Sequence, residues 1–124
     1  MSKQLDSTRL QHLQYAAERL LRRLSGSTAE FLTDEDLQGI ALRQFTVMGE
    51  AAAHLSEALK RQYPQIDWGR ATGFRNFVVH EYFRVDFTLV WDTVVSVLPP
   101  LVAELPTLLQ QVIAAEQAKA QGSV

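Results

Sequence analysis

"TDEDLQGIALRQFTVMGEAAAHLSEALKRQYP", residues 33–64, repeats its apolar residues at helical steps. Leu37, Ile40, Ala41, Phe45, Met48, Ala52, Leu55 and Leu59 fall along one side of a cylinder that turns about 100° per residue. Thr33, followed by Asp34, Glu35 and Asp36, reads as an N-cap with carboxylates facing the positive end of the helix, and Tyr63-Pro64 ends it. The spacing predicts one helix of about 28 residues, roughly 42 Å long at 1.5 Å per residue.

The flanking sequence continues the pattern in both directions. Leu10, Leu13, Ala17, Leu20 or Leu21 and Leu24 stripe a first helix that stops at the flexible Ser25-Gly26-Ser27. After the long helix, "PQIDWGRATG" (64–73) holds one proline and two glycines. It reads as a turn with room for a short helical turn over 67–71, and Thr72 is placed to cap a third helix running from about Gly73 to Phe83. Asp86 can cap a fourth through Phe87, Val90, Trp91, Val94, Val95 and Leu98. Pro99-Pro100 then breaks the chain, and Pro100 can open a fifth helix in its first turn. Pro106 predicts a kink there, unless the helix starts later, and "AAEQAKAQGSV" (114–124) loses the stripe and is expected to fray. No segment alternates with the period of a half-buried strand. The expected fold is an all-α, up-down bundle of four to five helices, one domain over residues 1–118 with a flexible tail at 119–124.

Composition narrows the function classes. At 47% apolar residues, 124 residues can fill one core. The absence of cysteine removes disulfide scaffolds, thiolate zinc sites, iron–sulfur clusters and cysteine nucleophiles together. Lys3, Asp6, Arg9, Glu18, Arg19, Arg22 and Arg23 interrupt the first 24 residues, and no later stretch approaches the ~20 apolar residues of a membrane span. The expected location is the cytoplasm, with no membrane partner. A net charge of −2 gives no general attraction for nucleic acid, so a polyanion would need a local patch.

One such concentration exists. "GFRNFVVHEYFRVD", residues 73–86, sets Arg75, Asn76, His80 and Tyr82 among Phe77, Val78 and Val79. On a helix Asn76 and His80 share one face, and Arg75 and Tyr82 share another, rotated by roughly 100° or more. No narrow face carries all four, which suits a groove shared with a second element. Histidine exchanges protons near neutral pH, and arginine stabilises charge on phosphate oxygens. Ribonuclease chemistry without a metal needs a base for the ribose 2′-hydroxyl, an acid for the leaving 5′-oxygen and a cation on the phosphorane. One histidine cannot easily serve as both base and acid at once, so two copies facing each other in a homodimer would complete the set.

The same residues also suit a structural role. His80 could be a core histidine, Arg75 and Arg84 could pair with Glu81 and Asp86, and Tyr82 could be a core residue with a wet hydroxyl. Glu50, in "MGEAAAH", could support Arg75 across a helix interface or be a plain surface carboxylate. His12 and His54 are lone histidines on amphipathic helices. His54 and Glu50 are four apart, but no third ligand has metal-site spacing, so neither metal nor cofactor is expected. Gly69 and Gly73 lack the surroundings of a phosphate loop.

The segment Arg75-x-x-x-x-His80-x-Tyr82 resembles the R-x-x-x-x-H-x-Y signature of the HEPN superfamily, specifically its HepT-like toxins. The likeness extends over residues 42–101: a "GEA" helix, a "P-x-I-x-W" turn, "G-x-RN", "H-x-YF-x-VD" and a "VW…LP.L" helix. Phe74 stands where an aliphatic residue or methionine is expected, and Gln44 where asparagine is common. The first forty residues match only in helical character. The resemblance implies a HEPN-type bundle that dimerises with both motifs in one cleft and acts as a metal-independent endoribonuclease. It places Arg75 and His80 as the catalytic pair and Asn76 as the polar residue following the arginine. It further implies a type VII pairing with an MntA-like minimal nucleotidyltransferase antitoxin that adds AMP to Tyr82. The alternative is a non-catalytic binding module, a substrate-binding or regulatory partner of such a nucleotidyltransferase.

Overall fold

The computed structural model describes residues 5–79 and 85–122. The described residues form eight helical segments and no strand. α1 (Asp6–Arg23) turns Leu10, Leu13, Ala16, Ala17 and Leu20 inward, as its stripe requires. α2 (Thr28–Thr33) is a single short helix capped by Ser27, whose hydroxyl accepts from the Glu30 amide. It was hidden in the sequence behind Ser25-Gly26-Ser27, and what holds it is tertiary. Phe31 stacks on Trp91 at 5.1 Å and meets the edge of Phe87, while the Trp91 indole N–H donates to the Thr28 hydroxyl at 2.7 Å.

The expected 28-residue helix is two helices. α3 (Glu35–Ala53) and α4 (Glu57–Gln62) are separated at Ser56. In an unbroken helix the Ser56 amide would bond four residues back. Here it donates to Asp6 Oδ1 at 2.9 Å, its hydroxyl donates to Asp6 Oδ2 at 2.6 Å, and the same hydroxyl accepts from the Leu59 amide to cap α4. Asp6 opens α1, so this contact also fixes α1 and α3 as antiparallel neighbours. The cap of α3 is Asp34 rather than Thr33: Asp34 Oδ1 accepts from the amides of Asp36 and Leu37, while Thr33 closes α2 by donating to the Ala29 carbonyl.

In the turn that follows, the Trp68 indole donates to the Tyr63 carbonyl at 2.9 Å across Pro64, which explains the proline-to-tryptophan spacing. α5 (Trp68–Gly73) is capped by Asp67, as the short helical turn at that position anticipates. Thr72 lies inside α5 and caps nothing. The third helix of the sequence reading therefore starts later, with α6 (Asn76–Val79). Asp86 caps α7 (Phe87–Ser96) through the Leu89 amide, as expected. α7 and α8 (Leu98–Gly122) meet at a 47° bend, with Pro99 and Pro100 in the first turn of α8, where amides have no intrahelical partner.

α8 continues as one helix through Pro106. It also stays helical to Gly122 where the sequence predicts fraying. The reason is partly Glu116: its carboxylate accepts from the Ser7 hydroxyl at 2.6 Å and the Ser7 amide at 3.1 Å. That supplies the start of α1 with the side-chain acceptor its own N-cap, Leu5, lacks. α1 and α7 both lie against α8, and α3 is shared by α1, α2, α5 and α6. No single described helix is long and apolar enough to cross a membrane; the apolar faces of α7 and α8 enter the core through Val90, Val94, Leu98, Leu101, Leu105 and Leu108.

At the centre of α3 is Phe45, wholly buried and in edge-on contact with Phe74 and Phe77, each 5.0 Å away between ring centroids. Phe45→Ala should therefore cost about 3–5 kcal/mol. Val47→Ala, two residues on and 39% exposed, should stay within about 0.5 kcal/mol. Urea unfolding of both variants measures the difference.

Candidate active site

The candidate site is assembled by α3 and the chain between α5 and α6. Phe74 and Phe77 bracket Arg75 and Asn76, and both rings rest on Phe45. With its neighbours anchored, the backbone at Arg75 is pressed onto α3 one turn past Phe45, at Gly49. A methyl group at Gly49 would sit 2.5 Å from the Arg75 amide nitrogen and 2.7 Å from its Cβ, distances real side chains do not tolerate. Gly49 has no positive φ, so its role is the room it leaves rather than an unusual backbone.

That close approach puts the Arg75 side chain beside the next residue of α3. Arg75 Nη1–H donates to Glu50 Oε1 at 3.1 Å. The arginine side chain is 39% exposed and the glutamate 52%, so the pair is at the surface. Exposed pairs contribute at most about 1 kcal/mol to stability, and this one matters for where it holds the guanidinium. An arginine bonded to one carboxylate still has further N–H donors for a phosphate oxygen. On the other side of Glu50, His54 Nδ1–H donates to the Glu50 carbonyl at 2.8 Å, and the same nitrogen is 3.9 Å from Glu50 Oε2. His54 thereby closes the end of α3 and adds an imidazole to the edge of the site.

Of the sequence candidates, Glu50 and Arg75 are brought together. Asn76 follows them, exposed, as the first residue of α6. His80 and Tyr82 lie outside the described residues, as do Glu81 and Arg84. Asp86 caps α7, and Arg75 pairs with Glu50 on α3. His12 is exposed on α1, on the far side of the groove that Glu50 borders. Among the described residues no group of three or more His, Cys, Asp or Glu is placed to hold a metal ion. Two residues escaped a functional reading: Gly49, visible only as the first letter of "GEA", and Phe45, visible only as one member of an apolar stripe. Neither carries ionisable chemistry, and their effect is on Arg75.

The site thus lies in a helical bundle whose central helix bonds the arginine that opens an Arg-x-x-x-x-His sequence. The chain belongs to the ribonuclease HepT-like family, whose model matches residues 13–108. It is 28% identical over 103 residues to a "Putative RNase" of Caldanaerobacter subterraneus subsp. tengcongensis, covering 82% of this chain and 92% of that protein. A "Putative RNase" of Methanocaldococcus jannaschii is 30% identical over 83 residues, 67% of this chain and 69% of the relative. A "Probable ribonuclease HepT" of Thermococcus cleftensis is 33% identical over 72 residues, 58% of this chain and 66% of the relative. No solved structure matches the chain.

The glycines of α3 provide an internal comparison. Gly39 has no atom within 4 Å of the place its Cβ would occupy, so Gly39→Ala should stabilise the protein by about 0.5–1 kcal/mol through helix propensity. Gly49→Ala gains the same propensity but must push the Arg75 backbone off α3, an overpacking cost of about 1–3 kcal/mol. Opposite signs of the two changes in thermal or urea unfolding are the expected result. Equal stabilisation would remove Gly49 as the determinant of Arg75 placement.

Proposed function

We propose that this protein is a metal-independent endoribonuclease, the toxin of a type VII, HepT/MntA-like toxin–antitoxin pair. The observation that carries the reading is the Glu50–Arg75 bond over Gly49: in a ribonuclease HepT-like chain, it fixes the first residue of the Arg75-x-x-x-x-His80-x-Tyr82 segment at a surface position with donors to spare. The relatives named "Putative RNase" and "Probable ribonuclease HepT" support the same class.

In the proposed reaction His80 removes the proton of a ribose 2′-hydroxyl. The 2′-oxygen bonds to the adjacent phosphorus, the phosphorus–5′-oxygen bond breaks, and the leaving oxygen takes a proton from the second histidine of a homodimer. Arg75 stabilises the charge that builds on the non-bridging oxygens, Asn76 supplies a further polar contact, and Glu50 positions the guanidinium. The products are a 2′,3′-cyclic phosphate and a 5′-hydroxyl, and no metal takes part. Silencing is proposed to occur at Tyr82. An MntA-like nucleotidyltransferase, using ATP and magnesium, bonds the Tyr82 oxygen to the α-phosphorus of ATP and releases pyrophosphate. The added phosphate and base then block RNA by bulk and by like charge.

Two measurements test this reading. Purified protein should cleave RNA in EDTA and leave 2′,3′-cyclic phosphate ends, and Arg75→Ala and His80→Ala should each lower the rate by about 10² to 10⁴-fold or more while circular dichroism stays helical. An active His80→Ala protein sinks the assignment, and an inactive wild type favours the non-catalytic binding module. Incubation with the partner nucleotidyltransferase and ATP should add the mass of AMP to wild-type protein and none to Tyr82→Phe. Full silencing of a toxic Tyr82→Phe protein would make binding, not modification, the silencing step.

A further inference from the structure

Glu50 belongs to a second feature besides the bond to Arg75. An open groove of about 270 Å³ runs between α1 and α3, lined by Arg9 and His12 from α1 and by Thr46, Val47, Glu50 and Ala51 from α3. Glu50, whose carboxylate accepts from Arg75, also lines the groove, so the two features share one side chain. The groove's volume falls just below the ~300–1,000 Å³ of pockets that enclose drug-sized ligands, and it is open along its length, which suits a ligand partly left in water.

The chemistry of its walls is divided. Thr46 turns its hydroxyl back onto the Leu42 carbonyl at 2.9 Å, leaving its methyl group, Ala51 and the half-exposed Val47 as an apolar floor. Arg9 and His12 stand three residues apart on one face of α1 and have no ion-pair partner among the described residues. α1 carries Arg9, Arg19, Arg22 and Arg23 against Asp6 and Glu18, a local excess of positive charge in a chain whose net charge is −2. Asp6, the acid nearest Arg9 in sequence, is taken up by Ser56. An apolar floor for a flat ring, an arginine and a histidine along one edge and Arg75 beyond Glu50 at one end together match one nucleotide of a strand.

We propose that the α1–α3 groove is a subsite for single-stranded RNA, seating the nucleotide next to the phosphate held by Arg75. The base lies on Val47 and its apolar neighbours, and Arg9 and His12 engage the flanking phosphate. The inference rests on the ribonuclease reading and adds to it the path of the substrate. A duplex keeps its bases stacked inside and cannot lay one on the floor, so the groove selects unpaired RNA.

The test separates binding from cleavage. A fluorescein-labelled, fully 2′-O-methylated single-stranded oligonucleotide of about twelve nucleotides has no 2′-hydroxyl to attack, and its affinity is read by fluorescence anisotropy over a range of salt. The Arg9→Ala/His12→Ala protein should bind it about tenfold or more weakly, with a shallower salt dependence because fewer phosphates are contacted. Val47→Asp, which adds charge at an already exposed position, should weaken it similarly, whereas Arg61→Ala on α4 removes a surface cation elsewhere and should change it less than twofold. Wild-type affinity in both groove variants, with wild-type protein cleaving ordinary RNA, overturns the subsite and leaves the nuclease standing. A wild type that neither binds the methylated strand nor cleaves RNA overturns both. Val47→Asp converting a dimer to a monomer in analytical ultracentrifugation would assign the groove to a second copy of the chain and overturn the RNA proposal.

Discussion

Phe45 and Gly49 lie one turn apart on the same face of α3, and together they decide how the segment from Phe74 to Phe77 rests on that helix. The aromatic ring draws the segment in through two edge-on contacts, and the missing side chain lets the backbone at Arg75 come down. Attraction alone would leave Arg75 at an ordinary interhelical distance. Room alone would leave it unanchored. With both, the guanidinium emerges beside Glu50, and a bond worth little to stability can still fix where a positive charge points. Phe74 stands where the resemblance leads one to expect an aliphatic residue or methionine, and its flat ring gives Phe45 a second partner.

The class of fold was legible because the apolar stripes of α1, α3, α7 and α8 are driven by burial, and burial leaves a periodic trace in one dimension. What was not legible depended on partners far away in sequence. The break between α3 and α4 is made by Asp6, fifty residues upstream of Ser56. The persistence of α8 past Ala114 involves Ser7 at the other end of the chain, and α2 stands on Trp91, Phe87 and its own short cap. Local propensity covers a cap such as Asp86 or Asp67, where donor and acceptor are three residues apart, and misses one such as Glu116.

The site divides along the same line. Arg75, Asn76, His80 and Tyr82 announced themselves because ionisable residues among phenylalanines are conspicuous, and Glu50 could be named as a partner for Arg75 because it borders the stripe that must face it. Gly49 and Phe45 could not, since an ordinary glycine and one more core aromatic acquire a function only when the third dimension lays Arg75 across them. A motif names the groups that meet the substrate, while the residues that aim those groups look like packing.

The acidic balance of the chain then loses much of its force as an argument against RNA. Much of the excess negative charge gathers at Glu30, Asp34, Glu35 and Asp36, around the start of α3. There it serves the helix itself, because Asp34 caps α3 while Glu35 and Asp36 face the positive end of its dipole. Glu35 and Glu50 are fifteen residues apart on one helix, a separation of roughly 22 Å at 1.5 Å per residue. The screening length near physiological salt is about 8–10 Å, so the carboxylates at one end of α3 contribute little to the field at the other. What a phosphate would meet at the far end is Arg75, with Arg9 and His12 across the groove and Glu50 already engaged. Charge averaged over the sequence hides this, because the carboxylates that serve helix capping and the arginine that would meet an anion carry opposite signs and the fold keeps them at opposite ends of the same helix.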